Sequence, residues 1–177
     1  MFGDEGAFKR IEWGLRLSVP QILLLVFFIL SFVTVSLPFF GELRPHFLLM
    51  GLYYWAVYRP TIMPPVYCFV LGLFMDLITG MAPGIHAILF LLVRWIVVDQ
   101  RRFLMGQPYI VTWIGFALTC AGFYAGQWLF IGLSGLHWGS LFDLLPNLLV
   151  TVILYPFVTL LLILVHRVLP VSSKSFS

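Results

Sequence analysis

Of the 177 residues, 62% are hydrophobic and only 10% charged, with a mean hydropathy of +1.05, whereas a soluble domain carries about a quarter charged residues. That composition excludes an ordinary soluble domain and describes an integral, multi-spanning membrane protein. The formal net charge of +3 is too small to imply nucleic acid as a partner and bears instead on orientation in the bilayer.

In chain order, residues 1–16 (MFGDEGAFKRIEWGLR) form a polar, mixed-charge tail. The apolar run 17–37 is too long for the hydrophobic part of a signal peptide. The VSLPFFG that closes it is too bulky for a cleavage site, so the run is expected to stay as the first span. Five more apolar segments follow, at 46–58, 65–79, 85–98, 109–133 and 144–165. The second, between Pro45 and Pro60, covers only about 20 Å at 1.5 Å per residue, short of a full crossing. It therefore needs local thinning of the bilayer or cover from neighbouring helices.

The distribution of positive charge argues that it crosses nonetheless. With six spans and a cytoplasmic N-terminus, Lys9, Arg10, Arg16, Arg59, Arg101, Arg102, Arg167 and Lys174 lie inside and Arg44 outside. Removing the second span would move Arg59, Arg101, Arg102, Arg167 and Lys174 to the outside, against the positive-inside rule. The expected architecture is an all-α membrane protein with six transmembrane helices in one bundle. A cytoplasmic tail (1–16) precedes the transmembrane domain (17–166), and a second cytoplasmic tail (167–177) follows. Neither tail can hold a core of its own. The absence of an internal repeat weighs against an inverted-repeat transporter.

Polar residues inside the spans are the candidate functional groups. Asp76 lies about 5 Å from the outer end of the third span, in the frame Gly72, Asp76, Gly80, Gly84. Positions 72, 76 and 80 share one helical face that lets a neighbour approach closely. An intramembrane carboxylate either accepts hydrogen bonds from an adjacent helix end or side chain, or couples to a proton or ion. The lack of a second intramembrane acid within reach favours the structural role. On the fourth span, His86 matches Asp76 in depth, while Arg94 can pair with it or snorkel to the cytoplasmic interface, the second being favoured. On the sixth span Asn147, Thr151, Tyr155 and Thr159 form a polar stripe beside Pro156, expected to face the bundle interior or a partner helix. Gly122 and Gly126 on the fifth span make a small-residue contact face. Trp13, Trp55, Trp95, Trp113 and Trp138 need only anchor the interfaces.

Catalytic and metal chemistry finds little footing. The GLSG of residues 132–135 resembles the nucleophile stretch of rhomboid intramembrane proteases. Its serine, Ser134, has no suitable base, since His137 is in the same loop and His166 at the opposite face. No phosphate loop, HExxH or paired-carboxylate pattern occurs. His86 lacks the neighbouring His, Cys and Asp of a metal site, and Cys68 and Cys120 read as small buried hydrophobes. No enzyme activity, cofactor or metal is expected.

RPHFLLMGLYYWAVYRP at 44–60, FVLGLFMDLITG at 69–80 and GIHA at 84–87 together resemble the MreD family of rod-shape-determining membrane proteins. The matching positions are Arg44-Pro45, Leu48-Leu49, Tyr54-Trp55, Pro60, Phe69, Gly72, Asp76-Leu77, Gly80 and Gly84, with Tyr155-Pro156 in the last helix. The resemblance implies a non-catalytic inner-membrane component of the bacterial cell-elongation machinery. It would associate with the single-span protein MreC and, through it, with MreB filaments, the RodA glycosyltransferase and a penicillin-binding transpeptidase. It also implies a fold similar to the substrate-binding S-components of energy-coupling-factor transporters. That likeness supplies an alternative function, a small-molecule-binding subunit of a vitamin-type transporter. The alanine-rich first span common in those subunits is missing, since residues 17–40 contain no alanine. On this reading Gly72, Asp76, Gly80, Gly84, Gly122, Gly126 and Tyr155 serve helix packing and partner contact, with His86, Arg94, Asn147 and Thr151 as intramembrane polar partners.

Overall fold

The computed structural model describes residues 19–37, 41–133, 140 and 144–168. The tail 1–16, the residues after Val168, Trp13, Trp138 and the GLSG serine with His137 lie outside the described residues. Among the described residues six helices make the fold all-α: α1 (Val19–Leu30), then α2 (Phe47–Tyr58), α3 (Pro65–Thr79), α4 (Ile85–Met105), α5 (Tyr109–Leu133) and α6 (Leu145–Val168). A two-stranded antiparallel hairpin, β1 (Val35–Leu37) and β2 (Gly41–Leu43), joins α1 to α2, with Val35 opposite Leu43. Two helices, α5 and α6, are long and apolar enough to cross a membrane.

The short α2 is the axis of the molecule. Its residues 48–57 are all buried, the condition in which a helix is apolar all round rather than on one stripe. Cover comes from the neighbouring helices, which approach closely where α2 or its neighbour has glycine. A Cβ at Gly51 would lie 2.9 Å from side-chain atoms of both Leu24 and Phe27 on α1. One at Gly115 on α5 would lie 2.7 Å from the Tyr53 hydroxyl, which instead donates to the Thr112 carbonyl at 3.0 Å. Tyr155 of α6 stacks on Phe116 of α5 with ring centroids 4.0 Å apart and meets Tyr53 edge-on at 5.9 Å. This aromatic wedge joins α2, α5 and α6.

The outer faces are apolar. On α6, Leu149, Ile153, Phe157, Leu160 and Leu164 are exposed while Thr151, Tyr155 and Thr159 are buried. A soluble protein would reverse that pattern, because large exposed apolar faces aggregate in water. The polar stripe of α6 therefore turns inward. Pro156 has no N–H to give the Val152 carbonyl four residues back. The Trp113 indole N–H of α5 donates to that oxygen at 3.0 Å, so the proline's orphan carbonyl becomes a bond between helices.

Three expectations are corrected. The run 17–37 is not one helix, for α1 closes near Ser31 and residues 35–37 are strand. Ser31 Oγ donates back to the Phe27 carbonyl at 2.8 Å, Phe32 and Val33 bond to carbonyls only three residues back, and the β-branched Val33–Thr34–Val35 stretch leads to Pro38. The fourth helix continues beyond position 98 to Met105, because Asp99, Gln100, Arg101 and Arg102 end the hydrophobic run without ending helix propensity. Trp55 is fully buried, a core residue of the enclosed α2 rather than an interface anchor.

Candidate functional site

Asp76 stands one turn before the end of α3 and is fully buried. The chain leaves α3 through Gly80, at φ +68°, whose N–H bonds the Asp76 carbonyl, as does the N–H of Met81 at 3.1 Å. It enters α4 through Gly84, at φ +108°. Both conformations strongly favour glycine, and between them they fold α4 back against α3. That reversal delivers the first N–H groups of α4 to the Asp76 side chain. Gly84 N–H donates to Oδ2 at 2.7 Å and His86 N–H to Oδ1 at 3.0 Å. His86 Nδ1 lies 2.7 Å from the same Oδ1, so with an ionised carboxylate that nitrogen holds the proton. Gly84 itself offers no side-chain cap. The carboxylate of the preceding helix supplies the cap, and the positive end of the α4 dipole favours its charge.

The close approach behind this pair depends on Gly72. A Cβ there would fall 2.4 Å from Ala87 Cα and 2.5 Å from Ala87 N. Gly72 and Asp76 thus share the face that meets α4 of the same chain. Gly80 leaves that face, being the left-handed residue after α3, with nothing within 4 Å of a Cβ. The two α5 glycines also part company. A Cβ at Gly126 would meet Leu89 at 2.6 Å, while one at Gly122 would meet nothing within 4 Å. Arg94 does not reach Asp76; its Nε donates to the Met63 carbonyl between α2 and α3.

A second polar cluster adjoins the pair through His46, whose ring centroid is 5.9 Å from that of His86. His46 N–H donates to Thr151 Oγ1 at 3.2 Å, and Arg44 N–H to Asn147 Oδ1 at 2.9 Å. Thr151 in turn bonds the Asn147 carbonyl at 2.7 Å and lies 3.4 Å from the Tyr124 hydroxyl. Leu48 N–H donates to Ser31 Oγ at 3.0 Å. The first N–H groups of α2, which a helix cannot satisfy internally, are thus met by α6 and α1. Tyr155 belongs to neither cluster and sits in the aromatic wedge. Between the clusters lies a cavity of about 260 Å³ lined by Arg44, His46, His86, Tyr124, Gln127 and Asn147 among others. Among the described residues no group of three His, Cys, Asp or Glu side chains is placed to hold a metal ion.

The structure draws in residues that the sequence reading did not assign to the site: Ser31, Arg44, His46, Tyr124 and Gln127. Asking what satisfies the first N–H groups of a buried twelve-residue helix points to Ser31, which accepts from Leu48 N–H. Nothing in the spacing points to Gln127.

The model of the family described as rod shape-determining protein MreD matches residues 15–165. The rod shape-determining protein MreD of Haemophilus influenzae is 28% identical over 99 residues, a match covering 54% of this chain and 56% of that protein. The chain thus spans about half the length of the curated relative it matches. No solved structure matches.

Proposed function

The chain belongs to the MreD family of rod shape-determining proteins, and from that premise we propose that it is a non-catalytic scaffold of the bacterial cell-elongation machinery. It lies in the inner membrane as a six-span bundle with both termini cytoplasmic. It binds MreC and, through it, links MreB filaments to peptidoglycan synthesis by RodA and its transpeptidase.

The observation that supports this reading is how the polar residues of the spans are used. Both oxygens of Asp76 are engaged in holding the start of α4, and Thr151 and Asn147 hold the start of α2. A carboxylate with three donors around it serves as a cap, not as a proton carrier passing between partners. With the polar groups committed inward, interaction falls to the apolar exterior. There the exposed Ala121, Gly122 and Ala125 of α5 allow close approach by a single transmembrane helix such as that of MreC.

Affinity purification from mild detergent tests the proposal. Wild-type chain should retain MreC, and Gly122→Leu should release it while the chain still elutes as a folded species. Full retention of MreC by Gly122→Leu would remove α5 from the interface, and failure of the wild type to retain it would remove the scaffold reading.

A further inference from the structure

The cavity between the two polar clusters is a built site that helix capping does not use. Two of the side chains that line it, His46 before α2 and Gln127 on α5, are left with unmet hydrogen-bonding atoms. Among the described residues, His46 Nδ1 and Gln127 Oε1 are buried without a partner, in residues only 9% and 7% exposed. The Gln127 amide nitrogen is given only a thioether, Met81 Sδ at 3.7 Å, and that sulfur is a weak acceptor. Buried polar atoms of a folded chain are nearly always paired, so two orphans beside one cavity point to an occupant that pairs with them.

One small molecule can reach both orphans. The His46 ring lies against Phe123 and Tyr124 of α5, with centroids 5.1 and 5.6 Å away. Gln127 follows one turn later on the same helical face, about 5 Å further along α5. Phe32, Met75, Met81 and Leu144 make the apolar part of the wall. A buried water needs about two to four polar partners, which those side chains do not supply. An apolar wall with a few convergent polar atoms is instead the anatomy of a small-molecule site. At about 260 Å³ the space falls just below the usual range of roughly 300–1,000 Å³.

Hydrogen-bonding pattern, rather than charge, selects the occupant. A hydroxyl meets one end of the Gln127 amide at a time. A group with N–H and C=O side by side meets both, its N–H donating to Oε1 and its carbonyl accepting from Nε2. Those two groups lie side by side on the edge of a cis amide, whereas a trans amide holds them on opposite sides. We infer that this cavity binds a small uncharged molecule with a cis-amide edge, of which a cyclic urea is the type. The second N–H of such a ring donates to His46 Nδ1, which accepts when the imidazole carries its proton on Nε2. The inference does not rest on the scaffold reading, which Gly122→Leu tests separately.

Saturation-transfer NMR on the full chain in neutral detergent tests this, with empty micelles as the background. The probes are ethyleneurea and N,N′-dimethylethyleneurea, which keeps the carbonyl and loses both N–H groups. Ethyleneurea should bind at least about tenfold more tightly than its dimethyl analogue, as the loss of two neutral hydrogen bonds requires. Gln127→Met and His46→Phe keep similar side-chain size without the orphan atoms. They should weaken ethyleneurea binding by about tenfold and about fivefold respectively, for two bonds and one, with circular dichroism unchanged. Equal binding of the two ureas, or binding of neither, leaves the cavity to water and overturns the proposal, as does unchanged ethyleneurea binding in the variants. Should either variant lose helix content, the other variant and the two ureas compared on the wild-type chain decide the matter.

Discussion

Replacing Asp76 by Asn keeps the shape of the side chain and removes its charge, which separates a structural carboxylate from one that couples to protons. In the wild type Oδ1 accepts from His86 N–H and lies beside His86 Nδ1, while Oδ2 accepts from Gly84 N–H. An asparagine serves best with its oxygen at the Oδ1 position, where it keeps the His86 donors as weaker, neutral bonds. Its NH₂ then faces the Gly84 N–H, donor against donor. Hydrogen bonds to charged groups contribute about 1.5–3 kcal/mol against 0.5–1.5 for neutral ones, and an orphaned buried donor costs about 1–3. Loss of the charge at the α4 N-terminus adds about 0.3–1 kcal/mol. The sum is a destabilisation of about 2–4 kcal/mol, which for a chain of this size lowers the melting temperature by roughly 5–15 °C. Thermal unfolding in detergent, followed by the loss of the monodisperse peak on size-exclusion chromatography, measures it. A variant that melts within about 2 °C of wild type, equivalent to about 0.5–1 kcal/mol, yet fails to restore rod shape would refute the capping argument and favour proton coupling.

Three further outcomes follow from the packing. Gly72→Ala drives a Cβ into the Ala87 backbone and should destabilise by about 1–3 kcal/mol or more, whereas Gly122→Ala, meeting nothing within 4 Å, should be neutral or stabilising by up to about 1 kcal/mol; paired melting curves compare them. Thr151→Val orphans the His46 N–H and should cost about 1–3 kcal/mol, while Thr119→Val, whose hydroxyl bonds the Gly115 carbonyl of its own helix, should shift the same melting curve by less than about 0.5 kcal/mol. Trp113→Phe withdraws the indole donor from the Val152 carbonyl and should cost about 1–2 kcal/mol; a double variant with Pro156→Ala, which restores the helical N–H, should recover part of that loss.

Hydropathy located the helices because lipid-facing and core-facing residues are both apolar here, so a span reads as one uninterrupted run. The boundaries of α3 and α5 follow from it directly, since Pro65 and Pro108–Tyr109 mark clear starts. It misplaced the end of α1, where β-branched residues are as apolar as the helix they terminate. It also cut α4 short, where charge stops the run but not the hydrogen-bonding. The four-residue frame of Gly72, Asp76, Gly80 and Gly84, and His86 close behind it, were visible in the sequence. Their mutual geometry was not, since it depends on two left-handed glycines reversing the chain. The glycines looked alike in sequence yet separate in space, Gly72 pressed against Ala87 and Gly122 open to the exterior. Spacing reports which residues share a face but not which neighbour that face meets.

We propose that this chain acts through its outer apolar surface while its polar groups hold the bundle together. Site-specific photocrosslinking in living cells tests that most directly, with the photoreactive residue placed in turn at Gly122 and Ala125 on α5, and at Ile153 and Phe157 on α6. The α5 positions should crosslink to MreC and the α6 positions should not. Absence of any protein crosslink from α5, in cells whose shape the same variants restore, would contradict it.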